Sequence, residues 1–555
     1  MSSKKNVLVC VAWPYANSDL HLGQLAGAYL PADIFARYNR MSGNNTLMVS
    51  GSDSHGTPVT VRAEQENTTP QKIFQRFHNS FLETFEGMGI LFDNFTSTDT
   101  DNHKEVVQDI FSKLLEKDLL YLKEQELLFD THVKRFLPDR YVEGTCPKVD
   151  CGYENARGDQ CDKCGSTLDA LELINPKSKL SNTEPIVKSS EHFFLKLSHF
   201  NNDLIKWMNT KKDWRTAVKN FTLGQLNDGL KDRAITRDIN WGIDIPLEGY
   251  DDKKIYVWFE AVLGYLSATI EHSKNNPQET NWEDFWKEES AQTVYFQGKD
   301  NVPFHAMILP AILLGYGGLN LPDNIPANQY VMMGGDKASS SRNTAIWVPD
   351  YLKHLSADQL RYYLTCIMPE TSDSEFNWED FVSRNNDELA AKWGNLVQRV
   401  TSFTKNRMEN SVPEQVPTLN ESKELKKYIE DTYMFAADKI EKVELRAALA
   451  SIMNAAQETN KYLEKTEPWK KIKENKKHAD ESIYCALESI YNIAIMLYPF
   501  VPFSSKSVLK AFGNETSYSQ IKWEYQKIKP GTNLEELAIL YEKLELSEIN
   551  TIFKS

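Results

Sequence analysis

The run Val7-Leu8-Val9-Cys10-Val11-Ala12 is apolar without alternation. That is the pattern of a strand covered on both faces, and such strands occur in parallel sheets with helices above and below. The next forty residues narrow the choice. A loop, Trp13-Pro14-Tyr15-Ala16-Asn17-Ser18-Asp19, precedes a helical pattern that reaches about Arg40 and is closed by Gly43. A second strand, Thr46-Leu47-Met48-Val49, leads into the small-residue turn Gly51-Ser52-Asp53-Ser54-His55-Gly56. Strand, loop, helix, strand opens a doubly wound α/β fold, whose ligands sit beyond the carboxyl ends of the strands. The pattern lapses near residue 120, where turn residues take over, and this reads as an insertion. Strand character returns at Ile255-Tyr256-Val257-Trp258-Phe259 and at Thr293-Val294-Tyr295-Phe296, which predicts a sheet completed after the interruption. After residue 385 Gly and Pro thin out and helical periodicity dominates, as in Leu445–Leu463 and Ile483–Leu497, so the last 170 residues read as an all-α bundle.

Composition serves to exclude. A chain of 555 residues that is 41% apolar and 25% charged is an ordinary globular protein with several cores, neither disordered nor fibrous. No run of about 18 apolar residues is present, so no membrane span is predicted. Met1-Ser2-Ser3-Lys4-Lys5 passes straight into the first strand, so a cytoplasmic protein is expected rather than an exported one. The net charge of −15, from 63 basic and 78 acidic residues, argues against non-specific nucleic-acid binding while leaving room for one basic groove.

Four of the seven cysteines fall within nineteen residues, spaced Cys146-x4-Cys151-x9-Cys161-x2-Cys164, with Gly152 and Gly165 after the second cysteine of each pair. Thiolates at these spacings form two knuckles around one tetrahedral Zn²⁺. Four thiolates close the coordination sphere, so this zinc is expected to be structural. Cys10, Cys366 and Cys485 read as buried thiols.

Two further stretches carry chemistry. His21-Leu22-Gly23-Gln24 stands at the start of the first helix, where backbone N–H groups, an imidazole and a glycine let a phosphate or adenine approach closely; a helix-capping histidine is the other reading. Some 300 residues on, Gly334-Gly335-Asp336-Lys337-Ala338-Ser339-Ser340-Ser341-Arg342 is an anion-seeking loop, and Lys337 or Arg342 there is suited to neutralising a triphosphate as pyrophosphate leaves. Together they resemble the HIGH and KMSKS signatures of class I aminoacyl-tRNA synthetases, in the right order. Ala12-Trp13-Pro14-Tyr15-Ala16-Asn17, Gly51–Pro58, Tyr256-Val257-Trp258-Phe259-Glu260-Ala261, Gly298-Lys299-Asp300-Asn301-Val302-Pro303-Phe304-His305 and Trp393-Gly394-Asn395-Leu396-Val397 are similar to the methionyl-tRNA synthetase family, and the resemblance spans essentially the whole chain.

The resemblance implies a Rossmann-like sheet in two halves (1–119 and 235–327), separated by a connective insertion with a zinc knuckle (120–234). A KMSKS-like and stem-contact region (328–385) and an α-helical anticodon-binding domain (386–555) come after it. It also implies ATP with Mg²⁺, L-methionine and tRNA(Met) as partners of a monomer. It places Ala12, Trp13, Tyr15, Trp258, Ala261, Tyr265, Phe304 and His305 around the methionine side chain, an unbranched and polarizable thioether that suits aromatic walls. Asp53 is then the anchor of the substrate ammonium and Asp300 a second polar anchor. His21, Gly23, Gln24, Lys337, Ser339, Ser340 and Arg342 serve ATP. Arg237 stabilises charge near the adenylate, unless it is salt-bridged to Asp238. Asn395 and Arg399, one helical turn apart, and Trp469 read the anticodon, the indole stacking on a base; a Trp closing the bundle core is the alternative.

Departures from the family pattern matter as well. Relatives with a second zinc hold it by cysteines at positions that here are Asp130, Val133, Ser178 and Ser181, so one zinc is predicted. Gln24 replaces the last histidine of HIGH. Ser340 replaces the second lysine of KMSKS, and a hydroxyl is no substitute for an ammonium against a triphosphate, so Lys337 or Arg342 must compensate. That change keeps open a catalytically weakened tRNA-binding paralogue, beside a synthetase for another apolar amino acid or a specialised second methionine enzyme.

Overall fold

The structure is a computed structural model that describes residues 4–553 except 139–140, 159–160, 162, 165–167, 335, 338–344, 415–416 and 515–519, with residues 336–337 described by their backbone. Four parallel strands form the central sheet in the spatial order Gln292–Phe296, Asn6–Val11, Asn45–Ser52, Asn94–Ser97. Val9 sits beside both Val294 and Met48. Alternate side chains of the first strand go to different cores: Val7, Val9 and Val11 to one, Leu8 and Cys10 to the other. That division is why its apolar run shows no period of two.

The chain order makes the strand Asn6–Val11 the place where the sheet reverses direction of growth. Its two neighbours lead away on opposite sides, and a crevice opens beyond the carboxyl ends of Asn6–Val11 and Gln292–Phe296. Ala12 N–H donates to the Phe296 carbonyl at 2.9 Å, holding the two strand exits together. The first helix starts at Leu22–Gln24, passes through a π-helical stretch, Leu25–Tyr29, and continues as Leu30–Met41 to Gly43, whose φ of +84° ends it.

The insertion is a long antiparallel pair, Leu120–Asp130 with Ile186–Leu195, and the cysteine knuckles lie at its far end. The apolar segment 255–259 is not a strand of the central sheet. Lys254–Ile255 makes a short antiparallel pair and Val257–Glu260 is helical, because a brief apolar run fits either state and here a helical turn buries Val257 and Phe259 while leaving Trp258 on the other side.

The helices from Asn395 to Ala511 form the expected bundle, and its core is continuous with the Val7/Val9/Val11 face of the sheet. Past Ala511 the expectation of helix fails. Residues 520–545 are irregular coil and turns that return across the bundle, Trp523 packing on Tyr38 and Tyr433, before a last helix, Leu546–Ile552. A buried ion cluster ties sheet to bundle: Arg361 bonds Asp33 at 2.6 Å and the carbonyls of Pro499, Phe500 and Met88 at 2.7, 2.8 and 3.1 Å. Such a cluster fixes relative placement more than it adds stability. Among the described residues no helix is long and apolar enough to cross a membrane.

Candidate functional site

A cleft of about 290 Å³ occupies the switch point of the sheet. Ala12, Trp13, Tyr15, Asp53, Trp258, Ala261, Tyr265, Asp300, Phe304 and His305 all line it, and so do His21, Gly23 and Gln24. Residues from four regions of the chain thus meet as the resemblance implies. Asn301, Gln329, Tyr330 and Val331 join them, and no motif in the sequence marks the last three as lining residues. The Tyr330 hydroxyl donates to Asp300.

The apolar end is built from rings. Trp258 and Phe304 stack with centroids 3.8 Å apart and planes 6° from parallel, and Tyr15 meets Trp258 edge-on. Trp13 is pressed between two glycines: a Cβ on Gly51 falls 2.4 Å from its ring, and one on Gly264 falls 2.6 Å from it. No side chain fits at either position without moving the indole. Gly264→Ala is therefore expected to raise KM for methionine by about tenfold or more, the range of an overpacked contact, with KM for ATP little changed. Amino-acid-dependent exchange kinetics check this, and an unmoved methionine KM would show that the contact does not set the pocket.

His305 has a defined tautomer. Its Nδ1–H donates to the Asn301 carbonyl at 2.9 Å, so Nε2 accepts the Tyr265 hydroxyl at 2.7 Å. Burial pushes the imidazole down to about 4, and it is neutral at pH 7.

The polar end is Asp53. Its Oδ1 accepts the backbone N–H groups of His55 and Gly56 at 3.2 and 3.1 Å, and its own N–H donates to Pro14. Burial, reinforced by the Glu260 charge, pushes the carboxyl up to about 8.

At the other side of the cleft His21 caps the start of its helix. Its Nδ1 accepts the Gly23 N–H at 3.1 Å and the Gln24 side-chain oxygen accepts the His21 N–H at 3.0 Å, a capping box that leaves the proton on Nε2. Gln24 thereby supplies a cap acceptor where the family has histidine.

The cation loop is tied to the same place at both ends. Upstream, Val331–Met333 pairs with Asp336–Lys337, and Val331 lines the cleft. Downstream, Trp347 bridges His21, with Leu22 N–H to the Ile346 carbonyl at 3.2 Å and Val348 N–H to Leu20 at 2.8 Å. Lys337 is described by its backbone, and Ser339, Ser340 and Arg342 lie outside the described residues.

Arg237 departs from expectation. It does not line the cleft: held in the short pair Thr236–Arg237 with Lys254–Ile255, its guanidinium lies 4.0 Å over Tyr256 and bonds the Ala234 and Thr236 carbonyls. Nor does Asp238 hold it, since that carboxylate pairs with Lys253 and with His192 at 3.1 Å.

The sulfur atoms of Cys146, Cys151, Cys161 and Cys164 lie within 4.8 Å of one another, with Cys146–Cys164 at 3.9 Å and Cys151–Cys161 at 3.6 Å. Four thiolates about 2.3 Å from one tetrahedral Zn²⁺ stand roughly 3.8 Å apart, so the set fits that ion. Asp130 instead centres a hydrogen-bond hub, accepting the Ser181 hydroxyl at 2.6 Å and the N–H groups of His132 and Val133; despite burial, its bonds from Ser178 and Ser181 hold it down to about 2.

In the bundle, Arg399 donates to Asn460 at 2.7 Å, and its guanidinium lies 5.3 Å over the half-buried ring of Trp469. Asn395, one turn earlier, is exposed.

Comparison with known proteins places the chain in a family. Residues 7–401 match the family model of class I (M) tRNA synthetases, and residues 412–553 match that of the anticodon-binding domain of methionyl tRNA ligase. The chain is 49% identical over 506 residues to a methionine–tRNA ligase of Thermomicrobium roseum, covering 91% of this chain and 86% of that one. It is 47% identical over 548 residues to that of Dehalococcoides mccartyi, 98% of each. It shares its fold with Mycobacterium tuberculosis methionyl-tRNA synthetase bound by methionyl-adenylate, with a TM-score of 0.80 at 21% identity over 97% of this chain and 100% of that one.

Proposed function

The chain belongs to the methionyl class I tRNA synthetases, and on that premise we propose how its residues divide the work of a methionine–tRNA ligase. The enzyme activates L-methionine with ATP and transfers the methionyl group to tRNA. The methionine carboxylate attacks the α-phosphorus of ATP, which enters with Mg²⁺, and pyrophosphate leaves. A terminal adenosine hydroxyl of tRNA(Met) then attacks the carbonyl and AMP leaves. No side-chain nucleophile is required, so positioning and charge supply most of the rate.

Asp53 takes the ammonium, and Asp300 is the second polar anchor. The thioether lies against Ala12, Trp13, Tyr15, Trp258, Ala261, Tyr265, Phe304 and His305. Because His21 Nδ1 is occupied by the Gly23 N–H, its Nε2–H is the donor offered to ATP. Segment 337–342, with Lys337, Ser339, Ser340 and Arg342, closes over the phosphates. Support for that closure comes from the residues flanking the segment: Val331 lines the cleft, and Trp347 bridges His21, which also lines it. Lys337 or Arg342 is the cation that makes up for Ser340. Arg237 neutralises the adenylate from the rim, which requires it to leave Tyr256. Zn²⁺ on the four cysteines is structural, closing the knuckle fold. Cleft and anticodon residues come from one chain, consistent with a monomer, and a tRNA substrate is consistent with a cytoplasmic enzyme.

The observation that carries this reading is the meeting of ten methionine-site residues and the His21 segment in one cleft at the switch point. ATP–pyrophosphate exchange tests it: exchange is expected with methionine and far less with leucine or isoleucine. Equal rates with all three would remove the specificity, and no exchange with any would leave a tRNA-binding role. Trp469→Ala is expected to lower kcat/KM for tRNA charging about 5- to 150-fold, the worth of one stacked base, with exchange unchanged. Equal losses in both assays would place Trp469 in the core instead.

A further inference from the structure

One buried set of charges in the catalytic half takes no part in the two chemical steps. Glu260 is fully buried and does not line the cleft, yet it sits in the helix Val257–Glu260 beside Trp258 and Ala261, which do. Its carboxylate oxygens lie 2.9 and 3.1 Å from Nδ1 of His55, 205 positions away in the chain. His55 Nε2 faces Asp99 at 3.7 Å. A carboxylate at each nitrogen keeps both protons on the ring: burial works against the charge, but Glu260 overrides it and holds the imidazolium up to about 10. Trp241 covers that ring edge-on, with centroids 5.4 Å apart, and its own N–H donates to the Ser54 carbonyl at 2.7 Å. The second oxygen of Glu260 comes within 4.0 Å of His103 Nε2; burial keeps His103 neutral, and its ring stacks on Trp13.

The pair therefore joins two distant pieces of the site. His55 lies two residues after Asp53, and its N–H is one of the two that hold Asp53 Oδ1. Glu260 lies between Trp258 and Ala261 of the thioether pocket. We infer that Glu260 is a positioning residue for methionine activation: through His55 it fixes the turn carrying Asp53 against the helix carrying Trp258 and Ala261, and so sets the span between ammonium anchor and thioether pocket. A buried ion pair is suited to this, because it fixes geometry with direction where apolar packing allows sliding. The inference rests on the assignment of Asp53 to the ammonium.

The test is exchange kinetics on Glu260→Gln, His55→Gln and the double variant, with inhibition by two analogues. Methioninol keeps the ammonium, and 4-(methylthio)butanoate lacks it. KM for methionine and Ki for methioninol are expected to rise about tenfold or more, with kcat and KM for ATP within about threefold of the parent. Ki for 4-(methylthio)butanoate should stay unchanged, and the double variant should be no worse than the worse single one. Equal weakening of both analogues, or additive losses in the double variant, would overturn the inference, because Glu260 would then merely support the pocket as a whole. If Glu260→Gln does not fold, His55→Gln carries the same comparison; loss of folded protein in both, read by melting, also overturns it. Asp53→Asn separates the two assignments. An unchanged methionine KM there removes the role of Asp53, whereas a raised one beside unaffected Glu260 and His55 variants removes this inference alone.

Discussion

Asp53→Asn is expected to lower kcat/KM for methionine in pyrophosphate exchange by about 30- to 5,000-fold, with KM for ATP nearly unchanged. The range comes from removing one partner of a buried charge pair, about 2–5 kcal/mol. Asparagine keeps the shape of the side chain, and its oxygen still accepts the His55 and Gly56 N–H groups. What it loses is the charge facing the ammonium, and its amide nitrogen adds a donor where an acceptor is needed. The parent enzyme carries a second signature of the same contact. With the free carboxyl pushed up to about 8 by burial and the Glu260 charge, the group is largely protonated below that pH, and an incoming ammonium must displace the proton. Methionine affinity should therefore weaken as pH falls below about 8, approaching tenfold per pH unit, while Asp53→Asn is flat over the same range. A pH-independent methionine KM in the parent would place the ammonium elsewhere.

Removal of the zinc is the second large effect. Cys146 and Cys161 are buried in a small cluster with Leu128, Leu137, Tyr141, Val142, Ala156, Leu168, Ala170 and Leu173, too few apolar groups to hold the knuckles together alone. A structural Zn²⁺ on four thiolates contributes about 10–16 kcal/mol of binding free energy, most of it spent in folding the site. Chelation, or Cys161→Ser, is expected to abolish amide-exchange protection between residues 141 and 178 while the central sheet stays protected. Metal analysis of the intact protein should give one zinc per chain. A value near two would show that the Asp130 hub, with Ser178 and Ser181, is a metal site after all; unchanged protection without metal would show that the knuckles fold unaided.

How much of this is readable from sequence depends on what kind of signal each part leaves. The first strand is legible because both its faces are buried, so its run is uniformly apolar. The four cysteines are legible because ligand spacing is local. Motif places Trp258 and Phe304, although the segment around Trp258 has the look of a strand: five apolar residues do not fix a period, and only the packing of Val257 and Phe259 decides for helix. The irregular return of residues 520–545 leaves no trace in helical periodicity because its order comes from tertiary contacts such as Trp523 on Tyr38. Glu260 lies within a recognisable motif, yet its partner His55 is 205 residues away and nothing in the spacing links them. Arg237 shows the converse: its position in the motif is clear, but the geometry that parks it on Tyr256 comes from a two-residue strand pairing invisible in composition.

Methionine and ATP are expected to meet in the one cleft, with His21 and segment 337–342 on the same nucleotide. A crystal structure with methionine and a non-hydrolysable ATP analogue tests it most directly. The predicted result has the substrate ammonium within about 3 Å of Asp53, the thioether among the aromatic rings, and the phosphates between His21 and residues 337–342. Phosphates bound away from His21, or that segment closing over a different cleft, would contradict it.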